Sequence, residues 1–270
     1  MIHPTAVVDP RAEIDASASI GPYVVIEGPA RIGTRTQIAA HAIVTGGAEI
    51  GADNVIHSGA VIGDAPQDIA FEGAESFLRI GDGNVFREHA TIHRGTKPGS
   101  ETRIGDRNYF MQNSHVAHNC RIGDDAIVAG GALLSGYVEL GDRGFVSGNC
   151  VVHQFVRIGR LALLRGLSRT SRDVPPFCIM DGTHTVRAIN LIGLRRAGFS
   201  PQSIRDIRSA FKALFLRSRN LKRALEEVDP AASDEVRELV EFIRASRRGV
   251  CFGPRESQPT AASIGDDEGS

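Results

Sequence analysis

Tryptophan is absent from the 270 residues, and aromatic side chains of all kinds make up only 6%. A core without large rings must be narrow and filled by medium aliphatics. Cysteine is scarce too. Cys120, Cys150, Cys178 and Cys251 form no CxxC pair and no disulfide-like framework, so they read as reduced thiols of a cytoplasmic protein. No run of about 18 apolar residues is present to span a bilayer. The N-terminus lacks the basic stretch and continuous apolar run of a secretory signal. Net charge is −1, which excludes the basic field of a nucleic-acid binder and gives no electrostatic reason for membrane attachment.

Glycine is abundant, at 30 residues, and aliphatics recur at a fixed interval. Stepping by six from Ile2 to Leu164, 25 of 28 positions hold a large apolar residue; the exceptions are Asp68, Ala74 and Pro98. This period belongs neither to a helix nor to a simple strand. It fits short strands joined by corners, each hexad sending one aliphatic inward. Gly105, Gly123, Gly141 and Gly159 are 18 apart, so three hexads close one coil of a triangular prism. Stacked coils then satisfy one another's backbone hydrogen bonds. The expected fold is mainly β: a left-handed parallel β-helix of hexapeptide repeats over residues 1–189, followed by a small α-helical C-terminal domain over 190–252.

The exceptions predict two loops, 64–79 and 97–103, that leave the prism without shifting its phase. Packing does not require such excursions, which makes them candidate functional elements. The repeat fades after Leu164, and 173–189, with Pro175-Pro176, reads as an irregular connector. Ser200-Pro201 has the form of a helix N-cap followed by proline. A second helix is expected over 219–228, a third from Ser233-Asp234, and a disordered tail over 253–270. Between Arg195 and Arg223 lie nine basic residues and one acid, Asp206. That surface is either a solvated helix face or a dock for an acidic partner.

An 18-residue coil places His118, Gly136 and Gln154 one above another, outside the core positions, with His115, Asn119, Tyr137 and His153 beside them. Imidazole, glycine backbone and amide along one groove suit acyl transfer. A histidine can take the proton of an attacking hydroxyl, and an N–H at glycine can approach a developing oxyanion unobstructed. Cys120 is the alternative nucleophile, with a buried filler as its plainer reading. His115 and His118, three apart, fall on opposite sides of a strand and chelate poorly, so no metal and no cofactor is expected.

The motifs IHRGT (92–96), HVAHNC (115–120), HQF (153–155), DVPP (173–176), PQD (66–68) and GLRRAGF (193–199), together with the hexads, resemble those of the UDP-N-acetylglucosamine O-acyltransferases. The resemblance covers residues 1 to about 250. It implies a homotrimer with active sites between subunits. It also implies transfer of a 3-hydroxyacyl chain from acyl carrier protein to the sugar 3-hydroxyl, the first acylation of lipid A synthesis. On this resemblance His118 matches the general base, Asp68 the carboxylate that orients base and sugar, and Gly136 the oxyanion donor. Gln67, His115, Tyr137, His153 and Gln154 match substrate contacts. His184, Asn190, Arg195 and Arg196 fall in the segment that contacts nucleotide and phosphates. An acidic carrier protein fits the basic 195–223 surface.

The sequence departs from the family pattern at Ala70 (usually Lys), Asn119 (Asp), Tyr137 (His) and Ile192 (an acid). Arg165 stands before Gly166 where small residues usually border the acyl groove. Three alternatives follow: a paralogue acting on another UDP-amino sugar or acyl donor, a non-catalytic binder of sugar nucleotide or carrier protein, and a zinc enzyme of the carbonic anhydrase type.

Overall fold

The computed structural model describes residues 1–217 and 220–254. The expected tail lies outside the described residues from 255 onward. Among the described residues the short strands form three sheets of nine, eight and ten members, and spatial neighbours within the prism are every third strand in sequence. That is the signature of a coil with three sides. The first sheet runs from Val7–Val8 to Arg169–Thr170, the second from Glu13–Ile14 to Arg157–Ile158, and the third from Ser19–Ile20 to Cys178–Asp181. Parallel pairing holds the 18-residue register, as in Val116↔Leu134↔Val152↔Thr170. The hexad aliphatics fill the interior from Ile20 to Leu164, and Phe86 stacks on Phe110 at 4.9 Å where the core needs more volume.

Corners between strands demand a sharp reversal of direction. The same corner position on successive coils is left-handed: Asn119 has φ 59°, Tyr137 60° and Phe155 64°. These are non-glycine residues in a costly region of backbone space, and stacking of corner on corner holds them there. Tyr137 N–H donates to His118 O at 2.9 Å and Phe155 N–H to Gly136 O at 3.0 Å.

Both expected loops are shorter than their sequence bounds. Strands Val61–Asp64, Phe77–Ile80 and Glu101–Ile104 take up their ends. Leu78 is fully buried and pairs with Ala48 on one side and Thr102 on the other. A ladder strand can resume before its hexad aliphatic does, because it is backbone that pairs. The prism likewise continues past Leu164. Thr170 takes the inward position of the last strand of the first sheet. The expected irregular connector contains a hairpin, Cys178–Asp181 with Thr185–Ile189, that extends the third sheet antiparallel. Chain alternation in 178–181 is buried, half-buried, buried, half-buried, a period-two pattern too short to stand out beside a period of six.

Among the described residues four α-helices follow: α1 (Leu191–Arg196), α2 (Pro201–Phe211), α3 (Leu221–Glu227) and α4 (Asp234–Arg244). A π-helical turn, Lys212–Arg217, continues α2. Ser200 caps α2 with Pro201 behind it, and Ser233 caps α4. After α4 the chain returns to the prism, where Val250 bridges Asp173 and Phe252 bridges Thr185. No helix among the described residues is long and apolar enough to cross a membrane.

Candidate active site

The corner after the strand His115–Val116 carries His118, half-buried, and one coil on comes Gly136. A Cβ on Gly136 would stand 2.3 Å from His118 Cε1 and 2.5 Å from its Nε2. The imidazole therefore lies over the glycine backbone, and no other residue leaves it room. The neighbouring N–H groups of Ser135 and Tyr137 are committed to Val152 O and His118 O. That of Gly136 donates to no group among the described residues.

Asn119 sets the state of the ring. Its Oδ1 accepts from Thr96 N–H at 3.0 Å and from the Thr96 hydroxyl at 3.0 Å, and it lies 3.0 Å from His118 Nδ1. A backbone N–H can only donate, so this atom is an acceptor and His118 Nδ1 must donate to it. In the neutral ring Nε2 then keeps its lone pair, and Nε2 is the nitrogen that faces Gly136. An unprotonated nitrogen beside an unpaired N–H is an arrangement able to take a proton from a hydroxyl while an oxyanion forms nearby.

Tyr137 meets His118 edge-on at 5.4 Å and stacks on Phe155 at 4.7 Å, and its hydroxyl lies 3.4 Å from Thr96 Oγ1. His115 bonds Thr91 Oγ1 at 2.7 Å and touches His93 edge-on at 5.0 Å. Burial, with His93 and His118 as secondary causes, pulls the His115 pKa down to about 4. The expectation that His115 and His118 fall on opposite sides of a strand is thus corrected. His118 sits in the corner, beyond the strand His115–Val116, so the alternation of strand side chains does not govern it. Among the described residues no three histidine, cysteine or acidic side chains gather to hold a metal.

Cys120 is fully buried, donates to Ser135 O at 3.2 Å and is pushed up to about 12 by burial, so it fills space. Gln154 is exposed one coil beyond Gly136, and His153 beside it is exposed too. Gly166 lies on a different corner, where a Cβ would meet only Gly148 O at 3.6 Å, an ordinary contact. His184 Nε2 accepts from Ser171 N–H at 2.9 Å. Asn190 is committed to structure: its Oδ1 caps α1 at Gly193 N–H and its Nδ2 donates to Leu161 O. Arg195 and Arg196 are exposed on the last turn of α1. Gln67 and Asp68 sit in the first loop, where Asp68 Oδ1 accepts from Ala70 N–H at 3.0 Å. No hydrogen bond or ion pair joins Asp68 to His118 within the chain.

Several residues at this site escape a hexad reading. His93 is 5% exposed, its Nδ1 is buried without a partner, and burial lowers its pKa. Thr96 anchors Asn119 from a loop, and Arg248 reaches His153 Nδ1 at 3.3 Å from beyond α4. His93 and Thr96 belong to the IHRGT motif, which could have drawn attention to them. Nothing in the sequence signals Arg248, which is 95 residues from His153.

Residues 173–251 match the family described as Udp N-acetylglucosamine O-acyltransferase, Domain 2, and 101–136 match Bacterial transferase hexapeptide (six repeats). The acyl-[acyl-carrier-protein]–UDP-N-acetylglucosamine O-acyltransferase of Alkalilimnicola ehrlichii is 48% identical, over 92% of this chain and 98% of its own. The enzyme of the same name from Synechocystis is 44% identical over 65% of this chain and 64% of its own length. The crystal structure of Francisella novicida UDP-N-acetylglucosamine acyltransferase superposes with a TM-score of 0.90 at 36% identity, covering 94% of this chain and 95% of that one.

Proposed function

This chain belongs to the acyl-[acyl-carrier-protein]–UDP-N-acetylglucosamine O-acyltransferases, and from that premise we propose that it transfers a 3-hydroxyacyl chain from acyl carrier protein to the 3-hydroxyl of UDP-N-acetylglucosamine, the first step of lipid A synthesis. The observation that carries the mechanism is His118 lying over Gly136 with its Nδ1 held by Asn119.

His118 Nε2 takes the proton of the sugar hydroxyl as its oxygen attacks the thioester carbonyl. The new C–O bond gives a tetrahedral oxyanion, which accepts a hydrogen bond from Gly136 N–H. Collapse breaks the C–S bond, and the departing thiolate receives the proton from His118. Base and acid are thus one residue used twice, and the ring ends as it began. His115, at about 4, stays neutral throughout. Asp68 orients the sugar and the base across a subunit boundary, with Gln67, His153 and Gln154 as further substrate contacts. Arg195 and Arg196 lie in the segment that contacts the sugar nucleotide. With its side chain committed, Asn190 contributes to that segment by holding α1.

Two features support the trimer. The outer faces of the first and third sheets are largely apolar, with Ile43 and Val61 on one and Val85 and Ile127 on the other, although Thr91, His115 and Arg169 interrupt the first and Ser19 and Gln37 the third. The second sheet instead shows a ladder of Glu13, Arg31, Glu49, Arg79 and Arg103. A solenoid in water has little reason to spread apolar side chains over two of its three faces unless a neighbour covers them. Asp68, left without His118 in its own chain, supports the same assembly. The basic surface of α1, α2 and the π-turn would receive the acidic carrier protein.

The test is turnover of purified protein with UDP-N-acetylglucosamine and 3-hydroxyacyl carrier proteins of several chain lengths. His118→Ala should lower kcat by roughly a hundredfold or more. A variant that folds and keeps full turnover would remove His118 from the mechanism.

A further inference from the structure

Arg121 aside, the arginines on the charged face of the prism meet carboxylates. Arg31 meets Glu13, Arg79 meets Glu49 and Glu101, Arg103 meets Glu101, and Arg157 meets Glu139. At the C-terminal end of the catalytic corner, Arg169, Arg172 and Arg248 have no carboxylate partner among the described residues. Asp173, adjacent in sequence, does not neutralise them. It is 1% exposed, and its oxygens accept from Arg157 N–H and the Ser246 hydroxyl. Asp181 is taken by Arg165 and Arg187.

The three arginines gather around one short stretch of chain. Arg172 follows Thr170, which stands three coils beyond Val116 in the ladder Val116↔Leu134↔Val152↔Thr170, in a corner two residues shorter than those before it, since Ile158 bridges Val174. Its guanidinium lies 5.7 Å from the Phe252 ring and close to the strap at Gly249. Arg248 donates from Nε to Ser171 O at 3.0 Å and turns its other end toward His153. Arg169 donates to Thr183 Oγ1 at 3.1 Å. Between them His184, with its pKa lowered by burial and then by Arg172 and Arg169, adds no negative charge. Like charges held this close, each with donors left over, are stabilised by an anion that several forks can grip at once.

We propose that Arg169, Arg172 and Arg248 form a phosphate-ester site at the far end of the catalytic groove, about 14 Å (three coils) along the axis from His118. The inference rests on the acyltransferase reading, in which both small reactive groups carry phosphate. One is the diphosphate of the sugar nucleotide, the other the phosphodiester of the carrier's pantetheine arm. Phosphate suits the site because its tetrahedral oxygens can accept from guanidiniums on different elements, the prism corner and the returning strap.

The experiment compares wild type with Arg172→Gln and Arg248→Gln, each checked for an unchanged mass and melting temperature. Calorimetric binding is measured for UDP against uridine, and for 4′-phosphopantetheine against pantetheine. One phosphorylated probe should weaken about tenfold in the variants while its phosphate-free counterpart is unaffected. The KM of the corresponding substrate should rise about tenfold with kcat within about twofold, and Arg172→Lys should recover part of the loss. A change in the UDP arm assigns the site to the nucleotide, and one in the pantetheine arm to the donor. Unchanged binding of both phosphorylated probes overturns the proposal. If the KM for intact acyl carrier protein rises while neither probe changes, the cluster contacts an acidic protein surface instead. If wild type binds a probe through these arginines but turns nothing over, the phosphate site stands and the acyltransferase reading falls.

Discussion

Gly136 has an ordinary backbone conformation; what it cannot carry is a side chain, because the ring of His118 occupies that space. In Gly136→Ala the methyl group must push the imidazole off its bond to Asn119, since the corner backbone is fixed by the coils above and below. The expected result is a fall in kcat of roughly a hundredfold with little change in thermal unfolding. Steady-state kinetics beside a melting curve would test this, and an unchanged kcat would mean that the ring has room to spare. His115 gives a second residue-scale expectation. Its folded pKa of about 4 lies below the ordinary histidine value of 6.5, so the unfolded chain binds a proton that the folded chain refuses. Stability should therefore fall as pH drops from about 6.5 towards about 4. His115→Gln should flatten that part of the curve. Denaturant melts at several pH values measure it, and an unchanged slope in the variant would place the titration elsewhere.

Elements this short have almost no stability of their own, since a two-residue strand pairs only through its neighbours. The corners bear the cost of the reversal. Leu167 occupies a left-handed corner position with φ 63° and is 79% exposed, so it gives up backbone energy and gains little burial. Asparagine tolerates this region far better. Leu167→Asn is expected to stabilise the protein by about 1 kcal/mol, visible as a higher melting temperature. A lower melting temperature would mean that Leu167 is buried against something in the assembled protein.

At the scale of the whole molecule the proposed site is unfinished in one chain, where no hydrogen bond or ion pair joins His118 to Asp68. If Asp68 completes the site of a neighbouring subunit, chains bearing His118→Ala and chains bearing Asp68→Ala should each be inactive alone. Refolded together, they should regain activity, because some mixed trimers then contain one intact site. Light scattering on the same samples should give the mass of three chains. Inactive mixtures of correct mass would put both residues in a single subunit's site.

The prism was legible in the sequence because a solenoid core repeats one physical demand, an inward aliphatic on every side of every coil, and Ile2 to Leu164 answer it at a fixed interval. The line His118, Gly136, Gln154 was legible for the same reason: a known coil length turns sequence separation into height. The caps of α2 and α4 were readable from Ser200-Pro201 and Ser233, since capping is local chemistry. The hairpin of 178–189 was not, because a short period-two pattern just after Pro175-Pro176 looks irregular until an existing sheet edge offers it a partner. The state of His118 depended on Thr96, which reaches Asn119 from a loop, and Arg248 arrived at His153 only through the fold of the helical domain. Spacing along the chain determined the scaffold and the stacking of the site, while tertiary structure alone decided which distant donors and charges meet there, because those contacts depend on where loops and strap return and carry no period.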